Sequence, residues 1–363
     1  SAGSFAEDIN VDSVIGQGYT GAGVIIAVLD SGLEIGHEDL AANVVVGGSH
    51  NFLNGSTDPT TTALGGDHGT SVAGLAASRG WNDIGGRGVA PFASLKGFNI
   101  LESQSVNDFI AALGGETFSS DVAIFNQSYG TNNTDDFFVQ PLIKSQYESG
   151  VTSLRDGKGA IYVRSAGNGF GRFGAASCSA ANTIGISCQN TSMDTFNALP
   201  QNITVGALGA NGQRASYSTA GSAIWVSAPG GEFGLDTNFI AFSNDAPAMM
   251  TTDQSGCSQG YVRSSVTNPR NAFQDARSSA HAENLACNYT STFNGTSSAA
   301  PVLSGAIALI LEANPALTWR DVKHILASTS TQVDASIAPL SVALGDGNYI
   351  AEPAYTTNAA GFT

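Results

Sequence analysis

The sequence predicts a doubly wound α/β fold, a mostly parallel sheet flanked by helices, carried by 363 residues that read as a single domain. Three observations predict it. Six apolar runs, within GVIIAVLD, ASLKGFNIL, DVAIFNQSYG, GAIYVRSAGNG, NITVGAL and SAIWVSAPG, each end in Gly or polar punctuation, as strands buried on both faces do. Helix-like spacers stand between several of them, at 106–113 and 139–147, and strands alternating with helices build parallel sheets. No Pro/Ser-rich linker, charge run or internal repeat divides the chain.

Taken in order, residues 8–17 predict a short helical lead-in. The run after it ends in Asp30, which puts a carboxylate on the carboxyl edge where open α/β sheets carry their sites; a D-S-G turn also begins with Asp for purely local reasons. GGDHGTSVAGLAAS sets His68 at the head of a small-residue helix, with Gly69, Ala73 and Gly74 permitting close packing. A lone histidine there serves equally as a packing residue. RGWNDIGGRGVAP reads as an irregular loop rich in carbonyls. Residues 233–293 are polar and patternless apart from PAMMTT, and predict a long surface excursion. FNGTSSAAPVLSGAIALILEAN then sets Ser297 at the mouth of an apolar helix, where free N–H groups and the positive dipole end favour a developing oxyanion. Pro301 falls within its first turn, where proline is tolerated. The same Gly-Thr-Ser turn is also an ordinary helix cap. LTWRDVKHILAST predicts a last helix capped by Thr318.

A net charge of −16 argues against binding a nucleic-acid backbone; it favours cationic partners at low salt, or solubility in a salty medium. The four cysteines, Cys178, Cys188, Cys257 and Cys287, lack metal-type spacing. Among three connectivities the near-neighbour pairing, Cys178–Cys188 with Cys257–Cys287, is the expectation for a secreted protein; four reduced thiols in a cytosolic one is the alternative. No run of eighteen apolar residues occurs and no basic stretch precedes a hydrophobic one, so neither a membrane span nor a signal peptide is expected, and the sequence reads as a mature or trimmed form.

Asp30, His68 and Ser297 follow one another in an order that matters. A serine hydroxyl becomes nucleophilic when an imidazole takes its proton, and the imidazole works best when a carboxylate fixes its tautomer and steadies its charge. VLDSG around Asp30, DHGTSVAG around His68, SAGNG around Asn168 and NGTSSAAP around Ser297 together resemble the signatures of subtilisin-like serine proteases, in the order that family uses. GQGYTGAGVIIAVLDSGLEIGHEDL, GRGVAPFASLKGFNIL and ALILEANPALTWRDVKHILA further resemble the kexin/furin branch.

The resemblance implies a subtilisin-like fold and a secreted, monomeric endopeptidase acting on polypeptide through an acyl-enzyme. It makes Ser297 the nucleophile, His68 the general base and Asp30 its orienting carboxylate. Asn168 becomes an oxyanion donor, a group whose loss typically costs about 3 kcal/mol. Ser128, Tyr129 and Gly130 would pair with an extended substrate backbone. An acid in the pocket for the residue before the scissile bond (P1) would select Arg or Lys, and Asp194 or Asp135 is its candidate. The second acid that this branch carries after its catalytic Asp is Ser31 here, which argues against strict dibasic cleavage. A structural calcium ion is implied on Asp8, Asp58 and the Asn82 side chain, with carbonyls of Arg79, Ile84 and Gly86. A closing helix and, in this branch, a β-sandwich domain would follow; the sequence passes through Asp346-Gly347-Asn348-Tyr349 to GFT with neither legible, so the expectation is a longer product, with a pro-segment or a C-terminal fragment as a further partner. Two rival classes remain: a binding protein on a silent protease fold, and a nucleotide-binding α/β protein, which lacks a G-x-G-x-x-G turn after its first strand.

Overall fold

The computed structural model describes residues 8–65, 67–131, 138–171, 176–236, 246–334 and 336–352. Six strands, β1 (Ile25–Leu29), β2 (Ser94–Phe98), β3 (Ile124–Gln127), β4 (Ile161–Ser165), β5 (Asn202–Leu208) and β6 (Ile224–Pro229), form one sheet in the order β2-β1-β3-β4-β5-β6, every pair parallel. They are the six runs marked by sequence. The order reverses between β1 and β3, and a crevice opens at such a point beyond the carboxyl ends of the strands. Asp30 follows β1 and Ser128 follows β3, so both stand at its lip.

After a short lead-in helix α1 (Asp12–Gly16), α2 (His68–Ala77) packs on one face of the sheet. On the opposite face lie α3 (Val106–Ile110) and α4 (Pro141–Ser153). A small helix, α5 (Ala176–Thr183), carries Cys178. Helices α6 (Thr296–Ala313) and α7 (Trp319–Thr329) return to the α2 face. Strand residues alternate accordingly, Ile26 and Val28 joining the α2/α6 core while Ala27 and Leu29 join the α4 core. Helix α6 is long and apolar enough to cross a membrane, but 72% of it is buried inside the protein, which makes it a core helix. Thr318 caps α7 in a capping box with Asp321, as expected. The span read as one helix at 106–113 keeps α-helical form only to Ile110; it widens over Ala111–Gly115, where Gly114 takes a left-handed φ of 101°.

Residues 246–293 correct the reading of a surface excursion. Strands β7 (Met249–Thr252) and β8 (Tyr289–Phe293) pair antiparallel, and β7 is fastened to the His68 helix. Ser71 donates to the Thr252 carbonyl, Thr251 to the Ser71 carbonyl and Thr252 to the Thr70 carbonyl, each at 2.7 Å. Gly74 makes this possible, since a Cβ there would fall within 2.4 Å of both threonine hydroxyls. The contact is made by hydroxyls rather than by apolar groups, which is why hydrophobic periodicity did not reveal it. Both disulfides form as expected, Cys178–Cys188 and Cys257–Cys287, the second clamping the excursion. A further hairpin, β9 (Leu340–Leu344) and β10 (Gly347–Glu352), was not foreseen.

Candidate active site

Three elements deliver three side chains to the crevice. Asp30, fully buried past the end of β1, is held by the Ser31 amide on Oδ1 at 2.7 Å. His68 opens α2 and sets Nδ1 2.9 Å from each Asp30 oxygen, which fixes the tautomer with Nε2 turned outward. Its side chain is 31% exposed. Burial works against the imidazolium, but the charge and hydrogen bond of Asp30, with Asp67 behind, outweigh it and raise the pKa.

Ser297 lies in the first turn of α6, where backbone N–H groups have no intrahelical acceptor. Gly295, at φ 103°, turns the chain into the helix. The Ser297 hydroxyl donates to the Ser128 carbonyl at 2.9 Å rather than to His68, and the Ser128 hydroxyl donates back to the Ser297 carbonyl at 3.0 Å. In serine hydrolases the nucleophile–base hydrogen bond commonly tightens only when substrate binds. Asn126 steadies the latch through Ser128 Oγ, and Ser304 from the next turns of α6 steadies Asn126. Neither was marked by sequence.

Asn168 follows β4. Its Oδ1 accepts from the Thr296 amide at 2.8 Å and the Thr296 hydroxyl at 3.0 Å, so Nδ2 is left to donate beside the start of α6. Thr296 Oγ1 accepts in turn from the Gly167 amide, and Thr219 Oγ1 from the Gly169 amide, fixing the loop on both sides. The Asn168 Nδ2 and the Ser297 N–H both stand beside Gly295, 3.1 and 3.5 Å from where a Cβ on it would lie, so two potential donors meet at the mouth of α6.

A second carboxylate escaped the sequence reading. Asp67, fully buried, lies behind the pair: Ser31 Oγ stands 3.3 Å from Asp30 and 3.5 Å from Asp67. The acid absent after Asp30 thus has a counterpart from the residue before His68. Burial first, then the Asp30 charge, pushes Asp67 up to about 7. Its proton belongs to the folded state, so the stability it contributes is present below its ordinary 3.8 and is lost as pH rises through about 7.

Gly130 and Ala166–Gly167 border a small cavity, with Asn190, Asp194 and Thr219 beyond. Asp194 lines that cavity, but it is not free: Arg164, almost fully buried, pairs with its Oδ2 at 3.0 Å, and the Phe196 amide donates to Oδ1. Arg164 is in turn fixed by Asn197 and sandwiched near the Tyr129 and Phe196 rings. Asp135 lies outside the described residues.

The expected calcium ligands are not all brought together. Asp58 is exposed in its own loop, its carboxylate accepting from the Thr60 amide, while Asn82 points its amide at Asp39, 2.8 Å away. Asp39 is the carboxylate sequence reading missed. Its position in GHEDL, within the resemblance already noted, was the available signal. Fully buried, it accepts also from the Gly86 amide, and its main-chain oxygen accepts from the Arg79 amide. Burial raises its pKa, and among the described residues no cation pairs with it. Such a carboxylate suits an added cation. Among the described residues no cluster of three acidic, His or Cys groups exists, so most ligands would have to be carbonyl and amide oxygens. Asp8 caps Asn10, and the neighbouring Asp12 pairs with Arg87, which holds this N-terminal segment against the loop 79–88.

A family model described as the subtilase family matches residues 21–347. An extracellular serine protease of Aeromonas sobria is 40% identical over 348 residues, 94% of this chain and 53% of the relative. Kexin of Saccharomyces cerevisiae is 31% identical over 88% of this chain and 32% of its own length. A crystal structure of the Aeromonas sobria serine protease in complex with a chaperone superposes with a TM-score of 0.84 at 36% identity, covering 98% of this chain and 59% of the other. The chain spans about half the length of the first curated relatives it matches.

The electrostatics of the pair generate a pH prediction. With the His68 pKa raised, kcat/KM should rise with pH along a limb centred above 6.5, as His68 loses its proton and becomes a base. Asp67→Asn removes a charge behind the imidazole and should move that limb down by less than about one pH unit. A limb that stays in place in this variant would show that Asp67 does not act on His68.

Proposed function

The chain belongs to the subtilase family, and on that premise we propose that it is a calcium-stabilised serine endopeptidase of the kexin-like branch, secreted, which cleaves extended polypeptide through an acyl-enzyme. The observation that supports this is the His68–Asp30 pair, together with Ser297 in the first turn of α6 and Asn168 bonded to the residue beside it. Ser297 Oγ attacks the carbonyl carbon while His68 Nε2 takes its proton. The tetrahedral oxygen settles between Asn168 Nδ2 and the Ser297 amide, and His68 returns the proton to the departing amine; water then repeats the sequence on the ester. Extended substrate would lie along Ser128–Gly130, pairing with main chain and so tolerating varied sequence. Secretion is supported by the name of the Aeromonas relative and by two disulfides. The solved relative's complex with a chaperone supports a folding partner for this chain as well.

A fluorophosphonate should label the wild type at Ser297, and Ser297→Ala should keep the fold while kcat falls on the order of 10⁶-fold. Wild-type turnover in that variant would leave a binding protein on a protease fold as the better account, a reading the Ser297–Ser128 hydrogen bond otherwise favours only for the resting enzyme.

At P1 we assign a preference for Arg and Lys that is graded rather than strict. Asp194 supplies the charge, but Arg164 already balances it. Arg164→Met frees that carboxylate and should raise the Arg-over-Leu ratio of kcat/KM by about tenfold, the worth of one charge-assisted hydrogen bond. If the ratio does not move in folded R164M protein, Asp194 is not the P1 acid.

Calcium would be held by Asp39, the Asn82 side chain, carbonyls of Arg79, Ile84 and Gly86, and Asp8. It would tie the N-terminal segment to the loop that leaves α2 and stabilise the folded state in proportion to its occupancy. Excess chelator should lower the Tm, and Asp39→Asn should lower it to a similar extent, whereas Asp58→Ala should not. An unchanged melting curve in chelator removes calcium from this account.

A further inference from the structure

A cavity of about 290 Å³ opens directly against His68, separate from the Asp194 cavity. The two share no lining residue. One is bordered by Gly130 and the oxyanion loop, where the acyl half of a substrate must stay. The other is bordered by His68, Phe293 and Asn294. The departing amine takes its proton from His68, so the fragment that carries it leaves across this second cavity.

Arg270 stands in its wall. Acidic groups outnumber Lys and Arg by 30 to 14 in this chain, yet no carboxylate among the described residues lies within ion-pairing distance of Arg270. It is only half-exposed, and burial lowers its pKa with no carboxylate opposing the shift. Tyr261 and Phe293 form apolar wall beside it, their rings 6.1 Å apart, and Phe293 reaches within 5.2 Å of the His68 ring. A partly dry wall strengthens any charge interaction made there.

The mount is rigid. The Arg270 carbonyl accepts from the Asp236 amide at 2.9 Å. Next to it, Asn271 donates to the Gly234 carbonyl, and Gln274 donates to Thr290 on β8 at 2.7 Å. Strand β8 runs directly into the turn that presents Ser297. The main chain that carries Arg270 is thus tied to the element that presents Ser297.

We infer that this cavity is a subsite for a carboxylate on the departing C-terminal fragment, with Arg270 as the group that binds it. The carboxylate is either an acidic side chain just after the scissile bond or the end of a fragment short enough to place its own terminus there. The inference rests on the endopeptidase reading. Its consequence is directional: cleavage is favoured where an acidic residue follows the cut or where the cut lies near a free C-terminus.

The test uses internally quenched peptides with one acyl half. One pair carries Glu or Gln at each of the first two positions after the scissile bond; another ends two residues beyond it in a free carboxylate or a carboxamide. The wild type should cleave the carboxylate member of at least one pair with kcat/KM about tenfold higher, compressed by salt, and which pair responds identifies the source of the carboxylate. Arg270→Gln should abolish the ratio and Arg270→Lys retain part of it. Ratios of one in both pairs for the wild type, a measurement that needs no variant, or a ratio that survives R270Q overturns the inference while leaving the endopeptidase reading intact, because the neutral peptides are still cut. Failure to cut any peptide removes both.

Discussion

The burial of α6 is the constraint on which the rest depends. From Thr296 to Gly305 every residue of that helix is buried, and it packs under the sheet and beside α2. An apolar helix driven into the core cannot choose where its first turn ends up, so Ser297 is positioned by the hydrophobic effect acting on Val302, Leu303, Ile307 and Leu309. The close approach to α2 requires Gly305, where a Cβ would sit 2.6 Å from the Val89 side chain and 3.0 Å from the Ala76 carbonyl. At its far end Glu312 accepts from the Thr20 and Gly21 amides and ties down the turn that feeds β1. Both ends of one helix therefore register the nucleophile against the strand that carries Asp30.

Polar latches then carry this registration outward. Ser128–Ser297 joins the edge segment to the helix mouth, Thr296–Asn168 joins the oxyanion loop, and the threonines of β7 join the excursion to α2. Each is a hydrogen bond, buried in the serine and β7 latches and part-buried in the Thr296–Asn168 one, so each is specific in direction in a way that apolar packing is not. The carboxylates around His68 show the cost of such crowding. Asp30 spends its charge on the imidazole, and Asp67, which has no salt-bridge partner among the described residues, holds a proton near neutrality.

Elements whose chemistry is local and apolar were legible in the sequence. The six strands, the His68 helix, α6 and the capped α7 each declare themselves within a window of residues, and the motifs around Asp30, His68, Asn168 and Ser297 single out groups that the structure assembles. Whatever depends on contact across the chain was not legible. β7 contributes to α2 through hydroxyls, so MMTT carries no strand signal beyond two residues of each kind. Arg164 reads as one polar residue in a strand and becomes meaningful only when Asp194, thirty residues on, is seen against it. Asp58 and Asp39 are equally plausible as ligands in a linear string; only folding shows which of them faces Asn82.

The excursion also alters how the site divides. The acyl side is built from β3, β4 and their loops, elements inside the parallel sheet, and its charge is internally balanced by Arg164 and Asp194. The proposed leaving side is built from residues 261–294, held by one disulfide, a two-stranded ladder and the threonine latch, and its guanidinium has no carboxylate partner among the described residues. A wall made of loop and fastened at a few points opens at lower free energy than a wall made of central strands. On the proposed reading, selection before the cut would rest on the more rigid part of the molecule, with its charge moderated by Arg164, and selection after it on the less deeply anchored part. Because Thr70, Ser71 and His68 share the first turn of α2, any loosening of β7 reaches His68 before it reaches Ser297.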